Sequence, residues 1–424
     1  MVGKEQFMAK AKMEKLQGSK LARQALERTA RLINAYGARL TGTPSCTATA
    51  KELHDELKAY TDRAELESFK LHPGAFLGWI KLLVLFYPVA VLFLWIDLPL
   101  FGLLVAASGL GIMVMEFFLY KEIIDRLYPS ATGVNVYGVI EPAGPVEHTI
   151  IFSGHHDSAR VFNFFTNKPS LYILRIGSGL GFYIALFVIA LTRVFWGDLF
   201  SVSLPHNALF LVGTIILTLG LPFVGHLWFF ASKEGTPGAG DNLISSSIAV
   251  ELARYFSVSK SHGNPLRRTR LILASFDGEE AGLRGARAFF NRHRHEFQNQ
   301  SVWNFNVDCP YYAKDLFFLT SDINGSVKLS QKMATECVGI AHSMGYDAFS
   351  QPIAFLTGGT DAAEAAKIGV EAVTLMAMPW GNKERAAVYH TPDDVPSAID
   401  PVAVEETLSI AIRFIEKVDQ NELQ

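Results

Sequence analysis

Cysteine is scarce in this chain: three residues in 424, Cys46, Cys309 and Cys337, at no paired spacing. So few cannot build a disulfide framework or a zinc site made of thiolates, and they fit a reducing compartment. Charge is sparse as well. Lys and Arg total 38 against 41 Asp and Glu, a formal net charge of −3, and charged residues make up only 19%. No long basic run appears, which argues against nucleic acid as a partner. Residues 1–40 are charged throughout and lack the apolar stretch of a secretory signal. Half of the residues are hydrophobic, so apolar sequence must be concentrated in places.

It is concentrated in two pairs of runs. Residues 82–96 carry no charge, Asp97-Leu-Pro makes a turn, and residues 98–115 are again uncharged. The second pair is 176–192 and 207–232, joined through Gly197-Asp-Leu-Phe-Ser. With aromatic and basic flanks (Trp79, Lys81, Trp95, Phe117, Tyr120), each run approaches the roughly 20 residues that cross a bilayer. Two transmembrane hairpins are expected, with the lipid bilayer as a partner. Lys81, Lys121, Arg126, Lys168, Arg175 and Lys233 flank the hairpins on the side of the polar segments, whereas only Arg193 lies on the turn side. The positive-inside rule therefore predicts a multi-pass membrane protein with its polar domain in the cytoplasm. Gly177-x-Gly179 and Ser108-Gly-x-Gly are small enough for close helix approach, which would allow a homo-oligomer.

The polar segments read as one α/β domain. The expected division is 1–75 (helices and a first strand), 76–120 (hairpin), 121–170 (catalytic domain), 171–232 (hairpin) and 233–424 (the rest of the catalytic domain). Apolar strand-like runs at 149–152, 271–276, 316–320 and 372–378 alternate with helical patterns. The fold class expected is α/β, a mixed, largely parallel sheet with helices on both faces, interrupted by the two hairpins.

Acidic and imidazole residues cluster at the predicted ends of these elements. Leu271-Ile-Leu-Ala-Ser-Phe runs into Asp-Gly-Glu279-Glu280. Adjacent carboxylates at the carboxyl edge of a parallel sheet need a positive partner, and a metal ion can supply it, with one carboxylate as ligand and the other as base. A solvated pair opening a helix is the plainer reading. Thr149-Ile-Ile-Phe ends in Ser-Gly-His155-His156-Asp157. Residues two apart in a strand face together, so His155 and Asp157 share a side while His156 faces away as a packed or solvated neighbour. Asp241 follows a glycine-rich loop at a helix start, Asp308 ends a strand, and His390 precedes the last helix. Singly, these could be an N-cap, a loop acid and a surface residue.

Taken together, the series resembles the zinc aminopeptidases of peptidase family M28. The matching stretches, in the family's order, are Gly-His155-His-Asp157-Ser, Pro-Gly-Ala-Gly-Asp241-Asn, Phe-Asp-Gly-Glu279-Glu280-Ala-Gly-Leu, Asn-Val-Asp308 and Tyr-His390-Thr-Pro-Asp-Asp. The resemblance implies two Zn²⁺ per chain and peptide substrates. His155 and Asp308 would complete one metal, Glu280 and His390 the other, and Asp241 would bridge both. Asp157 would hold His155, Glu279 would be the general base, and Asp241–Asn242 would be a cis peptide. The chain departs from the family at Thr360-Asp361-Ala362, where members often carry Ser/Thr-Asp-His, and in the long insertion between Asp157 and Asp241. Other readings are a glutaminyl-cyclase-like enzyme (a single-zinc chemistry on this fold), a carboxypeptidase, a receptor-like protein without activity, and a transporter using His226. The full set of ligand positions favours a two-zinc aminopeptidase.

Overall fold

The computed structural model describes residues 2–198, 208–298, 300–379 and 387–422. The chain forms two compact units: 1–73, 130–160 and 234–424 in the larger, and 74–129 with 161–233 in the smaller.

The larger unit is built on a mixed sheet. Its strands are β1 (Arg63–Leu71), β2 (Ala131–Ile140), β3 (His148–His155), β6 (Thr269–Phe276), β7 (Ser301–Pro310), β8 (Leu316–Asp322), β9 (Val327–Lys328), β10 (Phe349–Pro352) and β11 (Glu371–Ala377). A separate ribbon pairs β4 (Arg160–Phe162) with β5 (Ala231–Gly235). The order across the sheet is β1-β2-β6-β3-β7-β11-β8-β10, with β9 on β8. The middle strands β6, β3, β7 and β11 run parallel, whereas β1 and β2 on one side and β8 against β11 are antiparallel. The expectation of a mixed, largely parallel sheet holds. The central strands are apolar and buried along their length (Ile150, Ile151 and Phe152; Leu271, Leu273 and Ala274; Phe305 and Val307), the signature of strands covered on both faces.

Helices Ile244–Ser261 and Pro401–Asp419 add Ile244, Ile248, Leu252, Leu408, Ala411 and Phe414 to that core. Asp400 caps the second helix by accepting from the Val402 amide at 2.9 Å. Residues 3–36, read as one or two helices, form one, Val2–Tyr36. It is fastened by Arg28, which bonds Glu56 at 2.6 Å and the buried Glu251 at 2.7 Å. The short strands β9 and β10 were not foreseen. β10 is a four-residue edge strand ending in Pro352, too short to show an alternating pattern.

The smaller unit holds four helices long and apolar enough to cross a membrane: Gly78–Trp95, Pro99–Phe118, Pro169–Trp196 and Ala208–Phe229, with mean hydropathy of 1.9 to 2.2. Asp97, at φ 63, makes the turn of the first pair. The turn of the second pair falls largely at 199–207, outside the described residues. Arg193 at the end of the third helix donates to the Leu94 carbonyl at 2.6 Å and pairs with Asp97, so the two hairpins are tied at their turn ends. The apolar run at 207–232 is not one straight helix. It breaks at Gly220 and restarts at Leu221–His226, because Pro222 has no N–H for the preceding turn, and Ala231 onward is strand. His226 stacks on Phe164 (4.9 Å, 9°), the contact of a packing residue rather than a proton relay. Phe162 packs on Phe230 at 4.5 Å, so residues 161–170 join this unit.

Candidate active site

The parallel strands β3, β6 and β7 end side by side, and their carboxyl ends carry His155, Asp277-Gly-Glu279-Glu280 and Asp308. β3 is in register with β6 from His148 opposite Thr269 to His155 opposite Phe276. The two motifs therefore leave the sheet together.

Asp157 sits at their junction, fully buried. One carboxylate oxygen lies 3.3 Å from His155 Nδ1. The same carboxylate accepts the backbone amides of Glu279 at 3.2 Å and Glu280 at 3.1 Å. Asp157 thus orients the imidazole, whose Nδ1 also lies 3.2 Å from the Asp157 backbone carbonyl, and fixes the backbone of both glutamates. His156 faces away as expected: it is buried, bonded through Nδ1 to Ser275 Oγ at 2.8 Å, and burial pushes its pKa down to about 3.

Asp241 reaches the site through the glycine-rich loop. Gly238 lies at φ 60, and a Cβ on Gly240 would run into the Tyr311 ring, so neither position takes a side chain. The Asp241–Asn242 peptide is cis, as the resemblance implied. Asp241 Oδ1 lies 3.4 Å from His155 Nε2, and Oδ2 lies 2.9 Å from His390 Nε2. His390 Nε2 is also 3.5 Å from Glu280 Oε1, and His155 Nε2 is 3.7 Å from Glu279 Oε2. His155, Glu279 and Asp308 offer donor atoms within 4.8 Å of one another, and so do His155, Asp241 and Glu280. All seven residues singled out from the sequence (His155, Asp157, Asp241, Glu279, Glu280, Asp308 and His390) converge here.

The residues fit divalent metal. Buried His155 Nε2 and Glu280 Oε1 make no hydrogen bond, and Asp241 Oδ2 faces His390 Nε2 without hydrogen-bond geometry. Donors that converge on one point without bonding each other are what a cation between them would satisfy. The charge balance agrees. Burial, with Asp241 beside it, pushes Glu280 up to about 7 against His390, and burial pushes Asp308 up to about 6 against His155. Burial also raises Glu279 well above the usual carboxylate range, with Glu280, Asp308 and Asp361 adding to it. Burial lowers the His390 imidazole, but Glu280 and Asp241 more than reverse this and bring it to about 10. So many buried carboxylates call for cations.

Three residues of the site escaped the sequence reading. Arg39 is fully buried and donates to the carbonyls of His156 (2.8 Å), Gly37 (2.9 Å), Pro237 (2.8 Å) and Gly238 (2.8 Å), stapling the first motif to the glycine loop. Burial lowers its pKa to about 10 although Asp394, Asp157 and Asp241 oppose this, so it stays charged at neutral pH. Arg39→Ala leaves these carbonyls unsatisfied and is expected to cost on the order of 3 kcal/mol, read as a fall in the denaturant midpoint; an unchanged midpoint would refute the staple. Asp394, the last acid of Tyr-His390-Thr-Pro-Asp-Asp, accepts the amides of Gly240 at 2.8 Å and Asp241 at 3.2 Å. Asp394→Ala is expected to weaken metal affinity by about 10- to 100-fold, measured by competition with a chelator of known affinity. Asp361 is buried, its Oδ1 makes no hydrogen bond, and Thr360 before it is pinned by its amide (2.8 Å) and hydroxyl (2.6 Å) to Asp322. Burial, then Asp157 and Asp308, raise this carboxyl well above its ordinary value, against His155. The sequence had pointed only to the histidine missing after Asp361, not to the buried acid itself.

Fold and site define a class: an α/β sheet whose carboxyl edge gathers imidazoles and carboxylates fit for metal-dependent hydrolysis. The model for "Peptidase family M28" matches residues 223–415. The match takes in Asp241, Glu279, Glu280, Asp308 and His390, so the likeness to this family falls on the site itself. It is 26% identical over 187 residues to a probable leucine aminopeptidase of Arthroderma otae, a match covering 43% of this chain and 48% of that one. The chain thus spans about half the length of this curated relative. Among solved structures it is similar to the zinc aminopeptidase BSAP of Bacillus subtilis (TM-score 0.55, 13% identity, 93% of this chain and 95% of that one). It is equally similar to a glutaminyl cyclase of Fimbriiglobus ruber (TM-score 0.55, 11% identity, 93% and 94%). A Zn-dependent exopeptidase of Parabacteroides distasonis follows (TM-score 0.52, 14% identity, 93% and 97%). At these identities the structural likeness is one of fold.

Proposed function

We propose that the chain is a membrane-embedded dizinc aminopeptidase, removing amino-terminal residues from peptides. The observation that carries this reading is the convergence of His155, Asp241, Glu280, Asp308 and His390 around Glu279 in one buried cluster. His155 and Asp308 would hold one zinc, Glu280 and His390 the other, and Asp241 both. Zinc bound there supplies Lewis acidity toward the scissile carbonyl and lowers the pKa of the attacking water. The chain's own residues manage the protons. Glu279, held by its amide on Asp157, takes a proton from the water as oxygen attacks the carbonyl carbon. As the C–N bond breaks, Glu279 returns the proton to the leaving amine. Asp157 keeps His155 Nδ1 bonded, so that Nε2 presents its lone pair to the cluster.

Activity is tested on four substrates: an aminoacyl-anilide, the same anilide acetylated at its amine, glutaminyl-anilide, and an amino-acetylated peptide with a free carboxyl end. Release from the free-amine substrate alone supports the aminopeptidase. Release of a free residue from a peptide's carboxyl end would favour a carboxypeptidase, and ring closure without cleavage would favour cyclase chemistry, which the fold also serves in solved structures.

The four apolar helices support membrane embedding, and the basic flanks support a cytoplasmic catalytic domain. The three native cysteines are buried, so single introduced ones report cleanly. In intact cells, Ile96→Cys is expected to react with a membrane-impermeant maleimide and Asn264→Cys only after lysis. The reverse pattern would invert the topology.

A further inference from the structure

A cavity of about 420 Å³ lies at the end of the sheet opposite the metal cluster, among the amino ends of β3, β7 and β11. β3 begins at His148, whose neighbourhood lines this cavity, and ends at His155 in the metal cluster. Seven residue steps of strand separate the two by roughly 23 Å. An occupant here therefore cannot touch the scissile bond.

The walls are buried apolar side chains, Val302, Met333, Phe414 and Val418, beside the half-buried Trp303. His148 stands against Trp303 at 5.1 Å and bonds Asn421 at 2.7 Å through Nε2, while its buried Nδ1 makes no hydrogen bond. Around this floor stand one cation and two carboxylates: Lys332, Glu336 and Glu371. Glu336 has Lys417 at 3.8 Å, while the side chains of Lys332 and Glu371 have no ion-pair partner among the described residues. An apolar floor rimmed by polar groups of both signs suits a small-molecule ligand, and the volume is in the usual range. A ligand complementary to it carries an ammonium, a carboxylate and an apolar body.

We propose that this cavity binds a free α-amino acid with a large apolar side chain, at a site separate from the metal cluster. The identity of the ligand as product rests on the aminopeptidase reading, since that reaction releases such molecules one at a time. Lys332 meets the carboxylate, Glu371 the ammonium, and the Trp303–Phe414 floor the side chain.

The test is equilibrium dialysis of L-leucine against the full-length, zinc-loaded protein in detergent. Two bound equivalents are expected, one at the metal cluster and one in the cavity. Lys332→Glu and Glu371→Lys, both exposed positions, should each weaken the cavity equivalent by about tenfold or more. Their anilide hydrolysis without added amino acid should be unchanged. N-acetyl-leucine and leucinamide, each lacking one charge, should leave the cavity empty. Absence of the second equivalent at millimolar leucine, or its survival in both charge-reversal variants, overturns the proposal. Leucine in the cavity of a protein that cleaves no anilide would uphold the site and remove the peptidase reading; cleavage with no second equivalent does the opposite.

Discussion

Glu279→Gln is expected to lower kcat for aminoacyl-anilide hydrolysis by about 10³-fold while leaving the zinc content and KM little changed. The argument comes from position. Glu279 approaches His155 Nε2 at 3.7 Å, yet the donor set without it still counts two imidazoles and three carboxylates. Its amide is held by Asp157 at 3.2 Å, and glutamine can keep that bond, so the backbone around Glu280 should not move. What glutamine cannot do is accept a proton. Measured kcat and metal stoichiometry on the same preparation decide the matter. Loss of zinc along with activity would make Glu279 a ligand, and unchanged kcat would remove it from the chemistry.

The second large effect is on stability. Chelating the metals is expected to lower the unfolding free energy by on the order of 4 kcal/mol for each metal whose free concentration had stood at a thousand times its Kd, and the unfolding midpoint falls with it. The metal-free protein should also acquire a pH dependence that the loaded protein lacks. Burial pushes Glu280 up to about 7 and Asp308 up to about 6, while the carboxylates around His390 bring it to about 10. In each case the folded state binds more protons than the unfolded chain, so stability falls as pH rises. For the carboxyls the loss runs from about pH 4 to 7, and for the imidazole from about pH 6.5 to 10. Asp241, held below the usual carboxylate range by His155 and His390 despite its burial, works the other way but only below about pH 4, so the metal-free protein is most stable at about pH 4 and weakens steadily toward about pH 8. Thermal unfolding with and without chelator across this range checks it. A metal-free protein that gains stability with rising pH would show that the cluster is not a cation site.

How much of this was legible beforehand follows from what each residue does. His155, Asp157, Asp241, Glu279, Glu280, Asp308 and His390 sit at the ends of strongly apolar strands or beside glycine turns, where a polar residue stands out. Their convergence could be read because parallel strands deliver their carboxyl ends to one edge. Arg39 and Asp394 act on backbone amides and carbonyls far away in the chain, and nothing local marks Arg39 in a turn or Asp394 beside an equally acidic Asp393. Asp361 carries no local mark either: the departure from Ser/Thr-Asp-His lies one residue later, at Ala362, and its burial comes from the fold around it. The break at Gly220 was signalled by Pro222, but uniform hydrophobicity across 207–232 concealed it. The edge strand β10 owes its pairing to β8, not to its own sequence.

The most direct test of the central claim is the zinc content of the full-length protein purified in detergent, by elemental analysis per chain. Two zinc per wild-type chain, with both reduced in Asp241→Ala, is the predicted result. One zinc per chain, or none, after purification without chelator and with zinc supplied would contradict a cluster shared by His155, Asp241, Glu280, Asp308 and His390.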